Sequence, residues 1–365
     1  MPGLRFRPGC GMIGPEKRCA MEDAEIIQAA LPRIAEWYSL SRRVLPWREE
    51  PTPYRIWISE IMLQQTRIEA VIPYYRRFLE ELPDVSALAA VDDERLMKLW
   101  EGLGYYSRAR NLKKAAELVM RDYGGELPRT AAELRTLPGI GDYTAGAIAS
   151  IACGEPEPAV DGNVLRVLSR LLESGEDVLS PAVKKAMTAL LRQHYPAGEA
   201  AALTTEGLME LGETLCLPNG APKCALCPLR ALCRAGQAGT AERYPVKSPP
   251  RPRRIEERTV LLLRCRERWA IRQREKKGLL AGLWEFPNEE GRPDEAALRA
   301  RFPGALSVSP CGEAKHIFTH VEWHMQGWRI ELKEELPGLV WESAAAIRAR
   351  YSVPTALKAY LQQIE

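Results

Sequence analysis

Between Gly236 and Glu257 the chain changes character, and that change constrains the fold more than any single motif. The stretch GQAGTAERYPVKSPPRPRRIEE is rich in proline and arginine and has no hydrophobic period, so it reads as a linker. Before it, from about Ala24 to Arg234, amphipathic segments such as YRIWISEIMLQQTRIEAVIPYYRRFLEEL and DERLMKLWEGL alternate with short Pro/Gly breaks. After it, RTVLLLRC, RWAIRQR, KHIFTHVEWHM and WRIEL read as strands, with helices near Asp294–Arg301 and Thr355–Gln363. A chain of 365 residues suits more than one domain. The expectation is multidomain: an all-α body over 22–235, a linker over 236–256 and a smaller α+β domain over 257–365. Residues 1–21 lack an apolar core segment and read as a disordered extension, not a signal peptide. No apolar run is long enough to span a bilayer, so no membrane partner is expected. With a net charge of only +3, any basic surface must be local.

Four of the nine cysteines, Cys216, Cys224, Cys227 and Cys233, fall within 18 residues. In a chain this long that clustering argues for a metal site in a reduced compartment, with the cytosol as default location, rather than for a disulfide scaffold. Four thiolates with one C-x-x-C pair suit either a 4Fe–4S cluster or a Cys₄ zinc site, and spacing alone leaves both open.

The stretch LPGIGDYTAGAIAS, Leu137 to Ser150, is a glycine turn feeding a helix. Gly139 and Gly141 permit backbone conformations closed to other residues, and a helix start aims N–H groups outward at a positive dipole end. Such a turn suits a phosphate gripped without reading sequence; a self-packed helical hairpin fits it equally well. It is too short for a Walker loop. Thr52 and Pro53 read as N-cap and first residue of a helix that carries Glu60 among Ile56, Trp57, Leu63 and Gln64. A carboxyl in apolar surroundings has a raised pKa, which suits a general acid; pairing to Arg67 is the structural alternative. Asp161, in AVDGNVLRV, sits at a turn before a helix, where polar surroundings would keep it ionised or where it is simply an N-cap. Two carboxyl groups in opposed environments form the pair used on glycosidic bonds.

LPGIGDYTAGAI followed by VDGNVLRVLSR resembles the helix-hairpin-helix DNA glycosylases of the endonuclease III superfamily, and LPWR, SEIMLQQTR and EGLGYYSRARNL narrow the resemblance to MutY-type adenine DNA glycosylases. The resemblance runs from about Leu40 onward. It implies a base excision repair enzyme that flips adenine out of A:8-oxoguanine or A:G mispairs in double-stranded DNA and hydrolyses its N-glycosidic bond. It implies that Glu60 protonates adenine, that Asp161 stabilises or captures the sugar cation, and that Tyr143 and Asn163 support the pocket. Lyase members of the superfamily carry lysine where this chain has Tyr143, so a monofunctional glycosylase is expected. The resemblance places Gln65 and Tyr105 as wedges beside the unflipped base and Trp47 and Arg48 near DNA. The hairpin of Leu137, Gly139 and Gly141 is placed on backbone phosphate, with a possible bound cation. Arg108 and Arg110 read as phosphate- or solvent-facing, and the Tyr105–Tyr106 pair could also be core packing.

For the four cysteines the resemblance implies a 4Fe–4S cluster, with one departure. Seven residues, LPNGAPK, separate the first two cysteines where the family has six, and Asn219-Gly220 can absorb the extra residue in a turn. KKGLLAGLWEFP and its surrounding strands resemble the Nudix-like C-terminal domain of the same enzymes. NEEGRPDEAALRARF does not supply the Nudix catalytic box, so no pyrophosphatase activity is expected. Where the family reads 8-oxoguanine with Phe-Ser-His, this chain has Phe318, Thr319 and His320. His316, His320 and His324 recur every fourth residue, but no cysteine or acid completes a convincing zinc set. A monomer is expected, nucleoid-associated in a bacterium. The competing readings are a mismatch thymine glycosylase, a non-catalytic iron–sulfur DNA-binding protein and a Nudix hydrolase.

Overall fold

A computed structural model describes residues 22–249 and 252–364; the expected extension at 1–21 lies outside them. The helical body is built in two lobes. The first runs from Leu45 to Ala159 and centres on Trp57, Phe78, Trp100 and Ile148. The second joins the N-terminal helix Asp23–Ser41 to the helices Gly162–Leu172, Pro181–Arg192 and Glu199–Thr214 around Ile34, Val164, Leu168 and Leu211. The chain therefore starts in one lobe, builds the other, and returns at Val160. No helix among the described residues is long and apolar enough to cross a membrane.

Local signals start these helices where the sequence places them. Thr52 Oγ1 accepts from Arg55 N at 3.3 Å and Pro53 opens the helix Pro53–Leu63, since proline loses nothing at a position without an intrahelical donor bond. Asp161 caps Gly162–Leu172, with Val164 N donating to its Oδ1 at 2.8 Å.

The C-terminal domain is a seven-stranded sheet. Its strands are β1 Arg254–Cys265, β2 Arg268–Gln273, β3 Trp284–Glu285, β4 Asn288–Glu290, β5 Ala305–Ile317, β6 Val321–Leu332 and β7 Val340–Ser343. The central order is β3-β2-β1-β6-β5, with β1 and β6 parallel. Val260 and Leu262 pack toward the C-terminal helices with Ile347 and Leu357. Leu261 and Leu263 face Leu298 of the helix Glu295–Arg301. Burial on both faces explains why TVLLL reads as a continuous apolar run instead of alternating.

Three expectations need correction. The segment KHIFTHVEWHM is not one strand: β5 ends at Ile317, Phe318–His320 form a turn, and β6 begins at Val321. The apolar pattern runs through that turn because Phe318 tucks against Trp323, with ring centroids 5.0 Å apart. Nor is 236–256 wholly a linker. Val246 bridges to Asp177 in the second lobe, and β1 begins at Arg254, paired with Val321. The third is the C-terminal helix, which is shorter than expected: a 3₁₀ turn Thr355–Leu357 precedes Lys358–Leu361.

Candidate active site

The two lobes meet over a pocket of about 160 Å³. The first lobe contributes Glu60, Trp47, Arg48 and Tyr143; the second contributes Asp161, Asn163, Glu206, Met209 and Glu213. Glu60 is 5% exposed. Burial pushes its carboxyl from the ordinary 4.5 up to about 7, with Asp161 and Glu206 adding to the rise and the Tyr143 hydroxyl and Arg48 guanidinium opposing it. Its Oε2 is buried without a hydrogen-bond partner among the described residues. No ion pair joins Glu60 to Arg67 among those residues.

Asp161 departs from the sequence expectation. It is partly buried, and burial raises its pKa. The Asn163 and Val164 backbone N–H groups, the Asn163 amide and the Arg166 guanidinium act in the opposite direction and favour the carboxylate. Asn163 Nδ2 donates to Asp161 Oδ2 at 2.9 Å, and Arg166 Nη2 donates to Asn163 Oδ1 at 2.9 Å and to Gly212 O at 2.8 Å. That bracing needs the helices Gly162–Leu172 and Glu199–Thr214 in near contact, since a Cβ on Gly212 would come within 2.7 Å of Asn163 Cβ. Burial and the nearby carboxylates raise the Tyr143 pKa well above its ordinary value, so its hydroxyl keeps its proton.

Trp47 and Arg48, expected near DNA, stand in the wall of the Glu60 pocket. Trp47 is buried edge-on to Tyr75, with ring centroids 5.4 Å apart. Arg48 pairs with Glu210 at 2.9 Å and Glu206 at 3.4 Å. Glu206 and Glu213 are residues the sequence reading missed. They sit on an ordinary amphipathic helix, and only the closure of the two lobes turns them inward.

A second cleft, about 270 Å³, brings Gln65, Tyr105, Pro138 and Gly139 together. Gln65 and Tyr105 hold left-handed backbones, φ 58° and 47°, at the tips of two turns. Tyr105 is 47% exposed while Tyr106 is buried, so the tyrosine pair divides between surface and core. Arg108 does not face phosphate or solvent. It is 8% exposed and donates to the carbonyls of Ile61, Met62, Gln64, Leu103 and Gly104, tying the Gln65 and Tyr105 turns to one guanidinium. Arg110 donates to Ala281 O at 2.8 Å, across the domain boundary.

At the hairpin the two glycines differ. Gly139 has φ 80°, and a Cβ there would come within 2.7 Å of Asn111 Cβ. Gly141 is extended and open, so its backbone does not require glycine. Leu137 is buried beneath the turn, while Gly139 and Gly141 are exposed. Asp142, beside the turn, lies 3.6 Å from Arg135, which offsets its charge.

Phe318 packs inward, whereas Thr319 and His320 are exposed. Thr319 Oγ1 lies 2.9 Å from Tyr105 Oη, which sets the turn against the second cleft. The three histidines spread over β5, the turn and β6, and His324 Nε2 bonds Glu322 at 2.6 Å. Cys216, Cys224 and Cys233 act electrostatically on Cys227, so the four thiols share one neighbourhood. Arg170 Nη1 donates to Cys216 Sγ at 3.2 Å and Gly236 N to Cys233 Sγ at 3.3 Å. Among the described residues no three such side chains converge on a single-ion position.

A helical hairpin thus lies beside a two-lobed, carboxylate-lined pocket. Residues 58–194 match the HhH-GPD superfamily of base excision DNA repair proteins, and residues 259–363 match the NUDIX domain. The human adenine DNA glycosylase is 33% identical over 379 residues, 86% of this chain and 69% of that protein. The mouse adenine DNA glycosylase is also 33% identical, over 94% of this chain and 79% of its own. The chain belongs to the adenine DNA glycosylase family. Its helical body superposes on a thermostable thymine-DNA glycosylase with TM-score 0.53 and 28% identity, covering 59% of this chain and 98% of that one. It also superposes on endonuclease III in a non-covalent DNA complex, with TM-score 0.50 and 29% identity, covering 60% and 99%.

Proposed function

We propose that the protein hydrolyses the N-glycosidic bond of adenine mispaired with 8-oxoguanine or guanine in double-stranded DNA. The observation that carries this reading is the pairing of Glu60 and Asp161 in one pocket. Burial raises Glu60 to a pKa near 7; it raises Asp161 as well, but there a helix N-terminus, Asn163 and Arg166 oppose the rise and favour the carboxylate. Adenine leaves poorly as an anion and readily once protonated, so an acid with a pKa near neutrality meets the first need. The electrons of the C1′–N bond pass to the base, and the sugar cation left behind is stabilised by Asp161. Water then completes the hydrolysis. Tyr143 supports the acid and, having no amine, forms no Schiff base with the sugar.

Reaching the pocket requires extruding the base, at a cost of a few kcal/mol. Gln65 and Tyr105 are the wedges that fill the gap. The 137–141 hairpin grips a phosphate, and Phe318, Thr319 and His320 read the opposite base. Cys216, Cys224, Cys227 and Cys233 would hold a 4Fe–4S cluster, whose contribution is to fold this loop onto the second lobe. The four thiols share one neighbourhood, and the likeness to the adenine DNA glycosylases favours a 4Fe–4S cluster there over zinc.

Duplexes carrying A:8-oxoguanine, A:G, T:G or thymine glycol test the reading by base release. Adenine should be released from the first two only. The likeness to a thymine-DNA glycosylase makes thymine release from T:G the rival outcome, and that result would sink the proposal. Borohydride should trap little or no covalent adduct on the A:8-oxoguanine duplex; efficient trapping through residue 143 contradicts the monofunctional assignment. Thr319→Ala should lower the preference for 8-oxoguanine over guanine roughly three- to tenfold, by removing one hydrogen-bonding hydroxyl. An unchanged preference removes Thr319 from damage reading.

A further inference from the structure

The segment Leu280–Trp284 of the C-terminal domain is driven into the helical body. Leu283 is fully buried in the core of the first lobe, and Leu280 packs against both domains. Trp284 is held in turn by Ser352 O, 3.1 Å from its backbone N–H, and by the ring of Tyr351, 4.7 Å away. The 351–353 segment meets the C-terminal end of the helix Asp93–Trp100. There Lys98 Nζ donates to Arg348 O at 2.6 Å and Tyr351 O at 3.4 Å, and Glu101 Oε1 accepts from Val353 N at 3.0 Å. Lys98 and Glu101 also pair with each other at 2.5 Å. Arg110 Nη1 makes a further bond across the boundary, to Ala281 O.

These bonds bracket one turn. Glu101 precedes Tyr105 and Arg110 follows it, and Tyr105 Oη meets Thr319 Oγ1 at 2.9 Å. An exposed hydroxyl pair cannot hold two domains in register by itself, because water competes for both groups. Register must come from the buried leucine and from bonds whose charged donor or acceptor is partly shielded. Lys98 and Glu101 are 19% and 26% exposed, which places them in that class.

We propose that Lys98 and Glu101 form an interdomain latch that positions the Thr319 turn over Tyr105 and so sets opposite-base preference without touching the DNA. They are positioning residues. The latch lies outside the Glu60 pocket, so breaking it spares the chemistry and degrades discrimination. This rests on the proposed damage-reading role of Thr319.

The test uses the full chain and compares kcat/KM for adenine release opposite 8-oxoguanine and opposite guanine. Lys98→Met keeps the apolar stem and removes all three donors. It should lower the 8-oxoguanine preference about three- to tenfold while the single-turnover rate on A:G stays within about twofold. Glu101→Gln keeps an acceptor for Val353 N and should retain more of the preference than Glu101→Ala. In the Thr319→Ala background Lys98→Met should add little, because both act on the same contact. An additive effect overturns the route through Thr319, and an equal fall on both substrates makes the residues merely structural. A preference lowered by Thr319→Ala but not by Lys98→Met overturns the latch alone. A preference unaffected by Thr319→Ala overturns the damage-reading assignment and the latch with it.

Discussion

Glu60→Gln lowers the single-turnover rate of adenine release about 10³-fold or more, while affinity for the mispaired duplex stays within a few-fold. Glutamine fills the same space and keeps a hydrogen-bonding end, but it has no proton to give at neutral pH. In the wild type the acid form is the active one. With a folded pKa of about 7, the rate should be flat below that value and fall about tenfold per unit well above it. The same shift carries a stability cost of known sign. The folded state binds this proton more tightly than the unfolded chain, so stability declines as pH rises from 4.5 to about 7 and stays lower beyond. The loss amounts to about 3 kcal/mol. Glu60→Gln escapes it, so the variant should melt at or above the wild-type temperature at pH 8. A variant that is less stable at pH 8, or that retains base release, refutes the acid assignment.

Asp161→Asn should lower the same rate about 10²- to 10³-fold, the scale of removing one preorganised electrostatic group from a transition state. Asparagine is the informative replacement because Asp161 has two jobs. As an N-cap it accepts from Val164 N, and an asparagine side-chain oxygen does that equally well. Thermal stability should therefore move by less than about 0.5 kcal/mol. Asp161→Ala removes both functions and should add about 1 kcal/mol of destabilisation. If Asn keeps full activity, the residue is a cap and nothing more; if Asn and Ala lose the same stability, the cap bond to Val164 N contributes nothing measurable.

Much of this site is legible in the sequence because its signals are local. Thr52-Pro53 fixes the start of a helix, and the apolar residues around Glu60 foretell its dry surroundings. The two glycines of LPGIG announce a tight turn ahead of a helix. Asp161 is half legible: the cap follows from its position before a helix, but its burial does not. Gly141 looked equivalent to Gly139 and is not, because a glycine in sequence does not reveal its φ. Arg108 was unreadable. An arginine beside exposed turns normally reaches solvent, and only the folded chain brings five carbonyl oxygens within its reach.

The sequence alone determined the helical body, the presence of a sheet domain beyond the proline- and arginine-rich stretch, and the residue types at each motif. Period, capping and glycine placement act within a few residues of each other. Tertiary structure alone decided that Glu60 and Asp161 share a pocket, that Glu206 and Glu213 join them, and that Thr319 meets Tyr105. Those pairs are far apart in the chain. What brings them together is the closure of two apolar lobes and the burial of Leu283 in the first, and burial depends on every surface that packs rather than on any one stretch of sequence.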